Sequence, residues 1–372
     1  MEFILSFDRT SFPTGEAPDQ GRRSPFYCIT GSHGKGLETV DPPVKDATAP
    51  VASLSADALE LPLVAVAGPT GSGKSDLALE IAAKFDGEIV NCDSLQVFRY
   101  FDIGTAKLPL AEQRGIPHHL IDIVDPDQLF TAGGYARLAR DTIAGISERG
   151  HLPIVVGGTG FYLRALLDGL FEGPARDQTL RDRLATREQR RAGSLHRLLN
   201  RFDPYTARKI HPNDVPKVTR ALEVCLLTRQ PVSELFQQGR AALQGYRTLK
   251  LGLLPDRDAL YQRLDLRCAQ MFEGGLVEEV RQILGRGFAP TAKPFESHGY
   301  KQALQLINGE LNARDAVFYA QRNTRNYAKR QITWFRRESG LVWLKGFGDS
   351  PEIRSAAMER VAEFLALTSN RP

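Results

Sequence analysis

A short apolar run, LPLVAVA at 61–67, passes directly into Gly68-Pro69-Thr70-Gly71-Ser72-Gly73-Lys74-Ser75. This is the G-x-x-x-x-G-K-[ST] pattern, placed after a buried strand and before a helix-forming stretch. That context constrains the fold more than any other feature of the chain. The glycines let backbone N–H groups converge on phosphate oxygens, and the following helix adds the positive end of its dipole. Lys74 supplies a full charge and Ser75 a hydroxyl suited to Mg²⁺. The phosphate-cradling residues are therefore Gly68, Thr70, Gly71, Ser72, Gly73, Lys74 and Ser75.

The pattern continues downstream. A helix is expected over 73–85, a strand GEIVNCD ending at Asp93, a helix over 133–148, a strand LPIVVGG ending at Gly158, and a helix from Thr159. Strands that are continuous apolar runs alternating with helices indicate a parallel sheet covered on both faces. The expected class is α/β: a P-loop, nucleoside-triphosphate-hydrolase-like parallel sheet with a helical insertion and a helical carboxyl-terminal part. Ligands on such sheets bind beyond the carboxyl ends of strands, so the loops after Ala67, Asp93 and Val156 should meet at one site. The strand IVVGGT ends without the acid that an ATPase uses to hold its metal and water. Asp93 is the acid at a comparable position.

The chain of 372 residues is long enough for about two domains. Five segments are expected. Residues 1–60, rich in Pro, Gly, Ser and Thr, read as a weakly ordered extension. Acids at Glu2, Asp8, Glu16 and Asp19 argue against a transit peptide, and a misassigned start codon would look the same. The P-loop core covers 61–173, and a charge-dense helical insertion 174–212. A mostly helical remainder, with a strand at TLKLGLL, runs over 213–345, and a tail helix over 346–372. Lys plus Arg total 48 and Asp plus Glu 44, a net charge of +4 that by itself announces no nucleic-acid partner. No apolar run approaches the roughly 18 residues of a membrane span. Cys28, Cys92, Cys225 and Cys268 are widely separated, which disfavours disulfides or zinc and suits a reducing cytoplasm. His118 and His119 read as structural.

The strings GPTGSGKS, NCDSLQVFRYFDIGTAK, GGTGFYLRALLDGL, DPYTARKIHPNDVPKVTRALEV, HGYKQ and YAKRQITWFRR occur in that order. Together they resemble the bacterial tRNA dimethylallyltransferase family, over about 62–344. The resemblance implies transfer of a dimethylallyl group from dimethylallyl diphosphate to N6 of the adenosine 3′-adjacent to the anticodon, with Mg²⁺ and release of diphosphate. It implies Asp93 as general base, and Lys74 and Arg220 as further catalytic groups, Arg220 on the diphosphate. It places Asp93, Ser94, Leu95, Gln96, Thr159, Arg181, Lys217, Arg220, His298, Gly299 and Lys301 against tRNA. His298 departs from the small apolar residue usual before GYK. No cysteine follows Cys268, unlike relatives with a carboxyl-terminal zinc finger. The expected partners are tRNA and dimethylallyl diphosphate, with no membrane and a monomeric, cytoplasmic chain.

The chemistry agrees independently. An allylic diphosphate ionises when its leaving group is stabilised, and a carboxylate that accepts a proton from a conjugated amine activates it. A base in a loop must leave its stack to react. Arg322, Arg325, Lys329 and Arg336 recur at spacings of three, four and seven, beside an apolar face of Ala328, Ile332 and Phe335. Arg322, Arg325 and Lys329 are therefore candidate tRNA contacts, and Tyr327 and Trp334 candidate stacking residues. Two other readings stay open: an adenylate or ATP prenyltransferase of the cytokinin type, and a P-loop kinase or non-catalytic RNA-binding module.

Overall fold

The computed structural model describes residues 60–171, 173–236 and 241–369. The expected extension therefore lies almost wholly outside the described residues. Six strands form one sheet: β1 (Leu61–Ala67), β2 (Gly87–Asn91), β3 (His118–His119), β4 (Leu152–Gly157), β5 (Tyr246–Leu253) and β6 (Leu341–Leu344). Their order is β3-β2-β4-β1-β5-β6, and every pairing is parallel. β1 is central, with Ala67 opposite both Gly157 and Gly252. This is the α/β P-loop architecture that the alternation of apolar runs and helices predicts.

Each face of the sheet is sealed by a separate core. On one face α2 (Ala132–Glu148) and α3 (Gly160–Leu167) pack Tyr135, Ile143 and Leu166 against Leu63, Ala65 and Val155. On the other, Leu77 and Ile81 of α1 (Lys74–Phe85) join Val64, Val66 and Ile154. The strand interiors are buried on both sides, which explains their unbroken apolar character.

The strand expected at TLKLGLL is β5, paired along its length with β1. The short strand β6, which carries no comparable sequence signal, pairs with β5 at the sheet edge. The carboxyl-terminal helix, here numbered α13 (Pro351–Ser369), is no appended tail: Ala357, Val361 and Phe364 complete the core over α1.

The insertion contains α4 (Gln178–Arg190), α5 (Ser194–Phe202), α6 (Pro204–Lys209), α7 (Val215–Thr228) and α8 (Val232–Leu235). Leu184, Leu195 and Leu199 pack with Val218, Leu222 and Cys225. The boundary expected at 212 thus falls inside one packed helical cluster, because α7 supplies five of its eleven buried side chains. Beyond β5 come α9 (Arg257–Glu273), α10 (Leu276–Gly285), α11 (Tyr300–Ile307) and the long α12 (Ala313–Phe335). His119 is held by Glu88, 2.6 Å from its Nε2, consistent with a structural role on the edge strand. Cys92, Cys225 and Cys268 are buried free thiols.

Candidate active site

The loops after β1, β2 and β4 converge, as the fold class requires. Thr159, at the start of α3, accepts the Ser94 backbone N–H on its Oγ1 at 3.0 Å. Gly157 leaves no room for a side chain: a Cβ there would sit 2.0 Å from the Cys92 carbonyl oxygen. That close approach locks the β2 loop, which carries Asp93, against the β4 loop. Asp93 fixes its own loop through Oδ1, which accepts the Leu95 N–H at 2.8 Å.

The glycine loop wraps the amino end of α1. Gly73, at φ 81°, occupies the left-handed region that glycine adopts without strain. Ser72 is fully buried, and its Oγ has no hydrogen-bond partner. Lys74 donates from Nζ to the Pro69 carbonyl at 2.7 Å. Burial lowers its pKa to about 8, opposed by the nearby Asp93 charge. The group is thus still cationic at neutral pH, in poorly hydrated surroundings where it interacts strongly with an anion. Ser75 stands exposed in the first turn of α1.

A residue that the sequence reading passed over completes the cradle. Arg267 of α9 donates from its guanidinium to Thr70 Oγ1 at 2.6 Å, while its buried Nε has no partner. Burial lowers its pKa, yet a guanidinium remains charged. Gln331 of α12 was also missed. It accepts the Thr70 N–H at 2.8 Å and donates to the Gly158 carbonyl at 2.9 Å, tying two of the converging loops to one helix.

Thr70, Asp93 and Arg267 border an open cleft of about 630 Å³, its solvent-open mouth included. Thr70, Arg267 and Asp93 mark its polar end, and Leu95, Met271, Phe272, Leu276 and Ala320 line an apolar wall. Tyr327 and His298 also line it, their rings 5.1 Å apart. Burial holds His298 near pKa 4, so its imidazole is neutral. The Tyr327 hydroxyl hydrogen-bonds the Thr159 side chain, and burial pushes its pKa upward. Gly299 borders the same cleft.

Other expected site residues lie elsewhere. Arg220 makes its bonds within the insertion rather than to the glycine loop. Its guanidinium donates to Glu223 Oε2 at 2.6 Å and to the Pro174 carbonyl at 3.0 Å. Glu223, three residues on along α7 and fully buried, captures it; Arg181 makes a two-bond contact to the same carboxylate at 2.8 Å. Lys217 pairs with Asp214 at 2.6 Å. Gln96 donates to the carbonyl of Thr105, a residue that itself lines the cleft, at 3.1 Å. Lys301 is exposed in the first turn of α11. Arg325 is ion-paired with Asp265 of α9, and Arg322 lies over the Tyr319 ring at 4.8 Å. The basic residues of α12 therefore do not form one free stripe. Lys329 and Arg336 instead line a second groove with Arg257, Tyr261 and Lys345. Among the described residues Lys329, Arg336 and Lys345 have no carboxylate partner. Trp334 is packed over Gly160, under the Arg164 guanidinium at 4.5 Å, which is a structural rather than a stacking role.

The IPP transferase family profile matches residues 96–338. This chain belongs to the IPP transferase family. It is 78% identical over 305 residues to the tRNA dimethylallyltransferase of Solibacter usitatus, covering 82% of this chain and 99% of that one. It is 54% identical to the Koribacter versatilis protein of the same name, covering 80% and 97%. Among solved structures, a eukaryotic dimethylallyltransferase acting on tRNA superimposes with a TM-score of 0.71 at 32% identity, over 84% of this chain and 80% of that one. The tRNA isopentenylpyrophosphate transferase of Bacillus halodurans gives 0.62 at 36% identity, over 83% and 98%. The family works on a diphosphate substrate. No helix among the described residues is long and apolar enough to cross a membrane.

Proposed function

We propose that this chain transfers a dimethylallyl group from dimethylallyl diphosphate to the exocyclic N6 of the adenosine 3′-adjacent to the anticodon, releasing diphosphate. The chain is a tRNA-modifying prenyltransferase. The observation that carries the detailed reading is the cleft itself. It brings Thr70 of the glycine loop, Arg267 and Asp93 together with an apolar wall of Leu95, Met271, Phe272, Leu276 and Ala320, a polar group for a diphosphate beside an apolar surface for a prenyl chain.

Breaking the allylic C–O bond sends its electron pair to the diphosphate. Lys74, Arg267 and the loop amides stabilise that growing charge from fixed positions. The buried Ser72 hydroxyl, unpartnered within the glycine loop, is a further donor for the same anion. N6 then attacks the allylic carbon and gives up its proton to Asp93, whose second oxygen is not spent on the Leu95 turn. Leu95, Met271 and Phe272 exclude water from the allylic cation. Tyr327 and neutral His298 offer ring faces for an unstacked purine.

Among the described residues no three His, Cys, Asp or Glu side chains are grouped to hold a metal. Ser75, whose hydroxyl stands exposed in the first turn of α1 beside the glycine loop, would be the protein's ligand to a Mg²⁺ ion. When bound, the ion neutralises negative charge on the leaving diphosphate. The groove of Lys329, Arg336 and Lys345 suits the RNA backbone. The buried free thiols suit a reducing cytoplasm.

The test is incubation with labelled dimethylallyl diphosphate and unmodified tRNA, with AMP and ATP as competing acceptors. Label should appear in tRNA at the adenosine next to the anticodon. Label in the free nucleotide instead would favour the cytokinin-type reaction.

A further inference from the structure

The segment after β6 packs against the glycine loop. Gly348 donates its N–H to the Ser72 carbonyl at 2.8 Å. A Cβ on Gly73 would lie 2.8 Å from Asp349 Oδ1 and 2.9 Å from Asp349 N. A carboxylate is therefore packed directly against the backbone of an anion cradle. Left alone, it would repel any diphosphate bound there. It is not alone: Arg263 of α9 grips it with two parallel bonds, NH1 to Oδ1 at 2.9 Å and NH2 to Oδ2 at 2.8 Å. Arg263 lies one helical turn before Arg267, the guanidinium bonded to Thr70. The same stretch of α9 thus meets the glycine loop twice, once through Arg267 and once through the Arg263–Asp349 pair.

The geometry points to Arg263 as a positioning residue for the prenyl donor, one that neutralises Asp349 so that the β6–α13 loop can brace the glycine loop without repelling diphosphate. This assignment rests on the proposed function for the identity of the anion but not for the electrostatics. A plain structural brace and this shield make opposite forecasts. If the pair only holds the fold, removing either partner weakens binding equally. If Arg263 shields Asp349, removing Arg263 alone exposes a negative charge at the cradle, and removing both restores binding.

The experiment uses the full-length chain as wild type, Arg263→Met, Asp349→Asn and the double variant. Inorganic pyrophosphate binding is measured by calorimetry, the KM for dimethylallyl diphosphate and for tRNA by prenyl transfer, and folding by thermal melting. Arg263→Met should weaken pyrophosphate binding and raise the donor KM by about tenfold or more, with the tRNA KM unchanged. Asp349→Asn should stay within about threefold of wild type, and the double variant should recover to the Asp349→Asn level. Unchanged pyrophosphate affinity in Arg263→Met would overturn the assignment. So would an equal loss in Asp349→Asn, or no recovery in the double variant. A wild-type chain that binds pyrophosphate but alkylates no tRNA would refute the functional reading while leaving this test intact.

Discussion

Replacing Arg267 by methionine separates binding chemistry from folding. The side chain spends one guanidinium nitrogen on Thr70 Oγ1 and leaves its buried Nε unpartnered. Without an anion present, that charge is a burden on the fold, since burial penalises it and Arg263 adds to the repulsion. Methionine keeps most of the stem's volume and removes the charge. The lost bond to Thr70 costs about 1.5–3 kcal/mol, and relief of desolvation offsets a similar amount. The melting midpoint should therefore move by less than about 4 °C. In the reaction the balance reverses. Loss of one preorganised donor to the departing diphosphate should cost about 2.7–4 kcal/mol, or 10²–10³ in turnover.

The assay is single-turnover prenyl transfer to unmodified tRNA at saturating donor, paired with a thermal melt. Arg220→Ala is the control. Arg220 neutralises the buried Glu223, so its loss should lower stability by about 1–3 kcal/mol while leaving the donor KM unchanged. Two outcomes refute the reasoning: Arg267→Met within about threefold of wild-type turnover, or Arg220→Ala raising the donor KM without a drop in melting temperature.

Further outcomes follow from other side chains. Asp93→Asn should reduce turnover by about 10²–10⁴ with tRNA affinity retained in a filter-binding assay; wild-type turnover would remove Asp93 as base. Lys74 is depressed from 10.5 to about 8 in the folded chain, so its charge is present below that pH and lost above it. Donor affinity of the free enzyme should accordingly fall between pH 7.5 and 9.5, and a level profile would contradict this. Neutralising Lys329, Arg336 and Lys345 together should reduce the slope of log affinity for tRNA against log salt by about 0.7 per lost phosphate contact; an unaltered slope would make that groove a solvated surface. The Glu223 carboxyl is held near 2, against 4.5 in an ordinary setting, chiefly by Arg181 and then Arg220 working against its burial. Its contribution to stability is complete above about pH 4.5 and lost as pH falls through about 2, which acid titration of the insertion by circular dichroism would test.

What the sequence made legible was local, and what it hid was held at long range. The glycine loop, Lys74 and Asp93 sit at strand ends that any α/β reading brings together, because the parallel alternation alone places those loops side by side. Arg267 and Gln331 reach Thr70 from residues about 200 and 260 positions away, and nothing in their neighbours spells a motif. A usable signal existed all the same. On α9 the residues Leu260, Leu264, Arg267 and Met271 recur at the four-three-four spacing of a helix face, and the first two are fully buried. On α12 the buried residues Thr324, Ala328, Gln331 and Phe335 do the same. In each helix a polar side chain takes a place in the apolar stripe. A charge or amide there is costly unless something polar waits opposite. In both helices what waits is Thr70 of the glycine loop. Arg325 and Lys329 attracted notice as a basic run, yet they stand off that stripe, where a charge costs little and its presence says less. Asp265, paired with Arg325, shows as much. The residues to single out on a helix of this kind are the polar ones that interrupt its buried face, and Arg220 fails that test because Glu223, on its own helix, already answers its charge.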